Sequence, residues 1–333
     1  MIATLEILAP KRRATKMKSS RPRSYEYHET VLAAETVALL AAQPGKVIVD
    51  GTLGGGGHSA ALLAAGARVV GIDQDPEAIA FARQRLGEAA HFTAVRGSFA
   101  KLDEVLDGLG IGKVDGVLVD LGVSSRQLDS AERGFSFMHD GPLDMRMAPD
   151  GPITAADLVN TMSGDQLERI FRELGEEPAA RKVAAKLVRE RMVQPFTTTL
   201  QLASAVEAVI PRRGRTHPAT RIFQGLRIAV NRELEVLEAA LEVFTARLAP
   251  GGRIATITFH SLEDRIVKTF FKARTAEFID RPEWPAPRPN PLHLFKAITR
   301  KPVIASEAEQ RANPRSRSAK LRVVERIVAH ARQ

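Results

Sequence analysis

The stretch Val47-Ile48-Val49-Asp50-Gly51-Thr52-Leu53-Gly54-Gly55-Gly56-Gly57-His58 decides the fold. Its β-branched run, Val47 to Val49, suits a strand buried on both faces of a parallel sheet. Four glycines then remove every Cβ where the chain turns, so that a ligand can approach backbone N–H groups. From about His58 to Ala65 the sequence predicts a helix whose positive end faces that ligand. Strand, glycine turn and helix together make a nucleotide-type cradle; a flexible connector is the plainer alternative. Gly57 is followed by His58 and Ser59, so the Gly-Lys-Ser/Thr ending of a triphosphate-gripping loop is absent. The Gly-x-Gly-x-x-Gly spacing of a pyrophosphate turn is absent too. An adenosine without phosphates fits better than ATP, NAD or FAD.

The flanking segments extend the pattern. A helix is expected from about His28 to Ala42, ended by Pro44-Gly45. The strand Arg68 to Asp73 ends in a carboxylate 22 residues after Gly51, near the spacing at which such folds set an acid on a ribose hydroxyl pair. Asp75 precedes Pro76 and reads instead as a helix N-cap. A third strand, Phe92 to Val95, leads to Phe99, where an adenine would stack, although a core phenylalanine is an equal reading. The fourth strand, Val114 to Asp120, runs into Leu121-Gly122-Val123-Ser124-Ser125-Arg126-Gln127. Such alternation predicts an α/β fold, a doubly wound and mostly parallel sheet with ligands beyond the strand carboxyl ends. Asp50, Asp73, Phe99 and Asp120 all fall there.

From 128 to 217 the alternation stops, and an inserted all-helical domain is expected. It contains the loop Arg133-Gly134-Phe135-Ser136-Phe137, helix starts at Thr154 and Ser163, and basic helices near Ala179 to Met192 and after Thr199. One long helix, near Pro218 to Leu248, carries Arg227 and Asn231. The fifth strand, Arg253 to Phe259, ends at His260-Ser261-Leu262-Glu263-Asp264. Segments Leu294 to Thr299 and Ala319 to Glu325 read as a closing hairpin, separated by the polar loop Asn313-Pro314-Arg315-Ser316.

Composition narrows the function. The 333 residues are 44% hydrophobic, enough for a full core. No run is long enough to span a membrane and no signal peptide is visible, so a cytoplasmic protein is expected. Of the net charge of +9, residues 1 to 23 hold seven Lys or Arg against one Glu, or +6, which leaves +3 for the rest. Residues 1–24 read as a disordered basic arm. Further basic clusters, Arg181 to Arg215 and from Arg300 onward, suit phosphates or are ordinary solvated faces. With no cysteine, neither thiolate attack on a pyrimidine ring nor a cysteine-bound iron–sulfur cluster is available.

Six motifs carry a resemblance. Asp50-Gly51-Thr52 through His58, Asp120-Leu121-Gly122-Val123-Ser124-Ser125, Glu132-Arg133-Gly134-Phe135-Ser136-Phe137, Gly141-Pro142-Leu143-Asp144-Met145-Arg146, His217-Pro218-Ala219-Thr220-Arg221 and Phe259 through Arg265 resemble the bacterial 16S rRNA cytosine-N4 methyltransferase family, RsmH (formerly MraW). The likeness spans about residues 25 to 327. It implies a class I S-adenosylmethionine-dependent methyltransferase fold, discontinuous over 25–127 and 218–333, with the 128–217 segment recognising substrate. It implies S-adenosyl-L-methionine as cofactor and 16S rRNA of the small ribosomal subunit as partner, methylated at the cytidine numbered 1402. The cofactor contacts it implies are Gly55, Gly56, Gly57, His58, Asp73, Phe99, Asp120 and Gln127. Candidate substrate contacts are Ser124, Ser125, Phe135, Phe137, His260, Arg212, Arg213 and Arg215, with Phe135 and Phe137 equally readable as core. No metal is expected, and a homodimer stays open.

The target amine is a weak nucleophile that needs acceptors for its N–H groups. The Asp/Asn-Pro-Pro-Tyr/Phe tetrapeptide of many amino methyltransferases is absent, so no catalytic base is assigned; Asp120, Ser124, Ser125 and His260 are the nearest acceptors. Two other classes stay open on the residues alone: a methyltransferase of a small molecule or protein, and a non-catalytic ribosome-assembly factor.

Overall fold

A computed structural model describes residues 30–87, 91–212, 214 and 217–328; the basic arm, Arg213 and Arg215 lie outside them. Strands β1 (Val47–Asp50), β2 (Arg68–Asp73), β3 (Phe92–Arg96), β4 (Val114–Asp120) and β5 (Leu248–Thr258) are parallel. A two-stranded ribbon, β6 (Phe278–Ile279) with β7 (Arg288–Pro289), stands apart; β8 (Phe295–Ala297) and β9 (Lys320–Arg326) close the main sheet in the order β3-β2-β1-β4-β5-β9-β8. The expected closing hairpin is there, with β9 running antiparallel to both neighbours. This is the class I methyltransferase arrangement, and the strand order reverses between β1 and β4.

The β-branched opening strand is buried on both faces. Ile48 packs with Leu40, Leu62 and Leu118 on one side, and Val49 with Val70, Val117 and Phe244 on the other. Helices 57–64, 76–86, 102–108 and 233–247 fill the crossovers. Asp75 caps the second of these, accepting from the N–H of Glu77 at 3.0 Å with Pro76 in the first turn.

Between β4 and β5 the described residues form helices and no strand. Capping boxes at Thr154/Asp157, Ser163/Gln166 and Thr198/Gln201 satisfy exposed N–H groups and set where three of these helices begin. The helix Ala180–Arg191 buries Ala180, Val183, Ala184 and Leu187 and leaves its basic face outside.

The single long helix expected near Pro218 to Leu248 is two. Ala219–Asn231 and Glu233–Arg247 meet at Arg232, whose φ of 49° is left-handed. No glycine or proline marks the break, because packing makes it: the first helix buries Ile222, Phe223 and Leu226 in the insert's core, the second Leu237, Leu241 and Phe244 against the sheet. Asn231 secures the corner, donating to Met145 O and accepting from Met147 N, both at 2.8 Å. The insert's hydrophobic core therefore extends beyond residue 217. No helix among the described residues is long and apolar enough to cross a membrane.

Candidate active site

A cavity of about 620 Å³ opens at the carboxyl ends of the central strands, where the strand order reverses. Its floor is the glycine loop. Gly54 and Gly56 take φ of 49° and 73°, which L side chains rarely adopt. A Cβ on Gly57 would come within 2.0 Å of Thr30 Oγ1, so that position has no room for a side chain. Gly55 and Gly57 face the cavity. Gly56, expected beside them at the cofactor, does not; its N–H bonds Leu53 O at 2.7 Å and its Cα lies against Leu86. It shapes the turn.

Beneath the loop, fully buried Asp50 accepts from Ser59 Oγ at 2.7 Å and from Thr52 N at 3.3 Å. Burial pushes its carboxyl above the usual range, against the pull of His58. His58 is buried with Nε2 3.5 Å from Asp120 Oδ2, and neither ring nitrogen has a hydrogen-bond partner among the described residues. Burial opposes its protonation, but Asp120 and Asp50 outweigh that and raise its pKa. A carboxylate–imidazole–carboxylate stack thus joins the ends of β1 and β4.

Asp73 lines the cavity and accepts from Gly54 N at 2.8 Å and Asp75 N at 2.9 Å. Burial is the main cause of a pKa pushed up to about 6, partly offset by those two N–H groups. Phe99 shares both of its readings: it lines the cavity and packs on Phe244 at 6.2 Å between ring centres. Gln127 lines it too, although its amide is engaged, Oε1 accepting from Ser124 N at 3.0 Å and Nε2 donating to Asp75 at 3.2 Å. Ser124 caps the helix Ser125–Asp129. Asp120 receives no hydrogen bond at Oδ1 among the described residues, while its N–H donates to Thr52 Oγ1 at 2.7 Å. That oxygen is buried and unpaired, while the Asp120 side chain as a whole is part-exposed where it lines the cavity.

The opposite wall holds Arg227 and Glu263, which the sequence placed on a helix and at a strand end without a role, and Glu233, which it passed over. Arg227 grips Glu233 through two hydrogen bonds, 2.8 and 2.9 Å, across the helix corner. Glu263 lies close by, its pKa lowered because His260 and Arg227 outweigh the effect of burial. Glu233, His260 and Glu263 bring potential metal-ligating atoms within 4.8 Å of one another, yet Arg227 occupies both oxygens of Glu233 and supplies the balancing charge. Their signal was a helix corner, which one sequence does not display.

His260, expected to face the substrate, stands behind Glu263 as the helix N-cap, with Nε2 3.1 Å from Glu263 Oε1, and it does not line the cavity. Of the two readings given for Phe135, the structure has the core one: it is 6% exposed in the insert's core. Phe137 packs between His217 at 4.5 Å and Phe223 at 4.9 Å. Neither aromatic ring lines the cavity. Ser124 and Ser125 do. Arg212 is exposed and paired with Glu207.

The cradle fits an adenosine-bearing methyl donor on this structure's own terms: glycine backbone below, the Asp73 carboxylate at the end of β2, Phe99 beyond β3, and the Asp120 carboxylate at the end of β4. Comparison with known proteins agrees. The model of the MraW methylase family matches residues 25–327. Ribosomal RNA small subunit methyltransferase H of Myxococcus xanthus is 54% identical over 303 residues, 90% of this chain and 97% of that one. The protein of the same name from Magnetococcus marinus is 50% identical over 312 residues, 90% and 98% of the two chains. Among solved structures, a putative rRNA-methylase from Clostridium thermocellum is 14% identical with a TM-score of 0.42, over 90% of this chain and 98% of that one.

Proposed function

The chain belongs to the MraW methylase family, and from that premise we propose that it methylates the N4 amine of the cytidine at position 1402 of 16S rRNA in the small ribosomal subunit. S-adenosylmethionine is the family's donor and supplies a methyl group activated on a positively charged sulfur. Asp73 accepts from ribose hydroxyls and the glycine loop leaves its backbone N–H groups open to the donor's polar edge. The Asp120 carboxylate accepts an N–H of the incoming amine and offsets the positive charge that grows as nitrogen becomes tetrahedral. His58, fixed against Oδ2, holds that carboxylate in place. Arg227, anchored by Glu233, comes within 3.9 Å of where a Cβ on Gly122 would stand, two residues past Asp120, so the insert's last helix braces the loop that carries the acceptor. Holding amine and methyl in line is a further large contribution.

The observation that carries this reading is the part-exposed Asp120 carboxylate, which lines the cavity at the carboxyl end of β4 in a family of methylases. Incubation with isotopically labelled donor and small subunits, followed by mass spectrometry of the RNA nucleosides, tests it. The expected product is labelled N4-methylcytidine from the segment containing position 1402. Label on another nucleoside, or on protein or a small molecule alone, would overturn it.

A further inference from the structure

The polar loop between β8 and β9 forms part of the cavity wall. After the helix Glu307–Ala312, the turn Pro314–Ser318 lays Asn313, Arg315 and Ser318 along the same cavity as Asp120. Its backbone is pinned from several sides. Buried Asn313 accepts from Arg315 N at 3.1 Å, and fully buried Ser316 donates from Oγ to Asn313 O at 2.8 Å. Glu309 accepts from Leu32 N at 2.8 Å, which ties the preceding helix to the segment beside Thr30 and Val31 at the cavity rim.

Side chains two apart in a 3₁₀ turn diverge by about 240°, so the arginines of this turn serve two sides. Arg315 faces the cavity; its Nη2 donates to Asp129 at 2.6 Å, while Nη1 has no hydrogen-bond partner among the described residues. Arg317 is exposed, has no acidic partner among the described residues, and lines a shallow hollow with Pro314, Gln310, Arg311 and Glu307, the last two paired with each other. The next cations differ: Lys320 and Arg322 are both bound to Asp264, at 3.2 and 2.8 Å. A part-buried guanidinium with one unpaired nitrogen, Arg315, and an exposed one, Arg317, thus flank one strap between the cavity and the outer surface.

We propose that the strap Asn313–Ser318 is a backbone clamp for a single RNA strand, with Arg315 holding the phosphate of the nucleotide whose base enters the cavity and Arg317 holding a neighbouring phosphate outside. The inference rests on the RNA substrate proposed above and adds to it a binding element outside the inserted helices. A base that leaves its stack must be held by its backbone while it reacts, and phosphate contacts fix the register without reading sequence. Arg315, a part-buried cavity-lining guanidinium whose Nη1 has no partner among the described residues, meets that need.

The test compares wild type, Arg315→Ala, Arg315→Lys and Arg317→Ala in the full chain, measuring affinity for small-subunit RNA against salt, methylation kinetics, and donor affinity by calorimetry. Arg317→Ala is expected to weaken RNA binding several-fold and to reduce the salt slope by about 0.7, the value of one single-strand phosphate. Arg315→Ala is expected to lower kcat/KM for RNA at least tenfold, with partial recovery in Arg315→Lys; donor affinity stays at the wild-type value in all three. Wild-type RNA affinity and slope in Arg317→Ala would overturn the outer contact, even if Arg315→Ala failed to fold. A loss of donor affinity in Arg315→Ala would place that residue at the cofactor instead. If the wild-type chain neither binds nor methylates RNA, the RNA reading itself fails, and the strap with it.

Discussion

The two walls of the cavity are built in opposite ways. The cofactor wall comes from residues 50 to 127, from consecutive strand ends, and its key groups are held by neighbours close in sequence: Asp73 by Asp75 N–H, Gln127 by Ser124, Asp50 by Thr52 and Ser59. The opposite wall gathers Arg227 and Glu233 from a helix corner, Glu263 from the helix after β5, and Arg315 from the strap before β9. Successive strand ends and their short turns supply the first, tied across by Gly54 N to Asp73 and by Asp120 N to Thr52; the second gathers a helix corner, a later helix start and the strap from separate parts of the chain. Damage to the first should appear as impaired donor binding and chemistry, and damage to the second as impaired RNA handling with donor binding intact.

Asp120 is where the walls meet, and its replacement should have the largest effect. Asp120→Asn keeps the size of the side chain but removes the charge that accepts the amine proton, and kcat is expected to fall by about 10² to 10⁴ in single-turnover methylation of small subunits. A kcat within twofold of wild type would move the acceptor to the opposite wall. Next is Asp73→Ala, which removes a charge-assisted hydrogen bond of about 1.5 to 3 kcal/mol; calorimetry should show donor affinity weaker by roughly tenfold to two-hundredfold, with RNA affinity unaltered.

The Asp73 carboxyl also makes a pH prediction. With its pKa near 6, the acceptor is ionised above that value, so donor affinity should be flat from pH 7 upward and weaken as pH falls through about 6. In Asp73→Asn this dependence should vanish. For folding the sign is reversed: between 3.8 and about 6 the folded chain holds a proton that the unfolded chain has released. This group's contribution to stability is therefore complete below 3.8 and disappears as pH rises through about 6.

The glycine loop offers a smaller effect. Gly57→Ala forces a Cβ onto Thr30, an overpacking expected to cost about 1–3 kcal/mol. Gly56→Ala is destabilised through its left-handed φ by about 1–2 kcal/mol. Denaturant midpoints should separate both from wild type, with Gly57→Ala also weakening donor affinity because it alone of the two faces the cavity. The smallest effect concerns the insert's surface. Replacing Arg212, Arg213 and Arg215 together with alanine should weaken RNA binding and lower its salt slope by about 0.7 to 0.9 for each phosphate no longer neutralised, with donor affinity unchanged. An unaltered slope would confine RNA binding to the cavity rim.

Much of this molecule was legible in the chain itself. A β-branched run followed by four glycines read as a buried strand and a glycine turn, with a flexible connector as the alternative, because sterics at φ/ψ and burial on both sheet faces act locally. Strand alternation then placed Asp50, Asp73, Phe99 and Asp120 at one edge of the sheet, since each strand must end where its helix begins. What the chain did not display was decided by packing between distant segments. The break at Arg232 carries no glycine or proline; it exists because the helices on either side bury their apolar faces in two different cores. Phe135 sits beside an arginine in a polar loop and reads as a stacking ring, yet the insert's core takes it, because burying an aromatic side chain outweighs what its neighbours in sequence suggest. His260 behind Glu263 and Arg315 at the cavity mouth follow the same rule: which face of a turn looks inward is set by what lies against it, and that partner is far away in sequence.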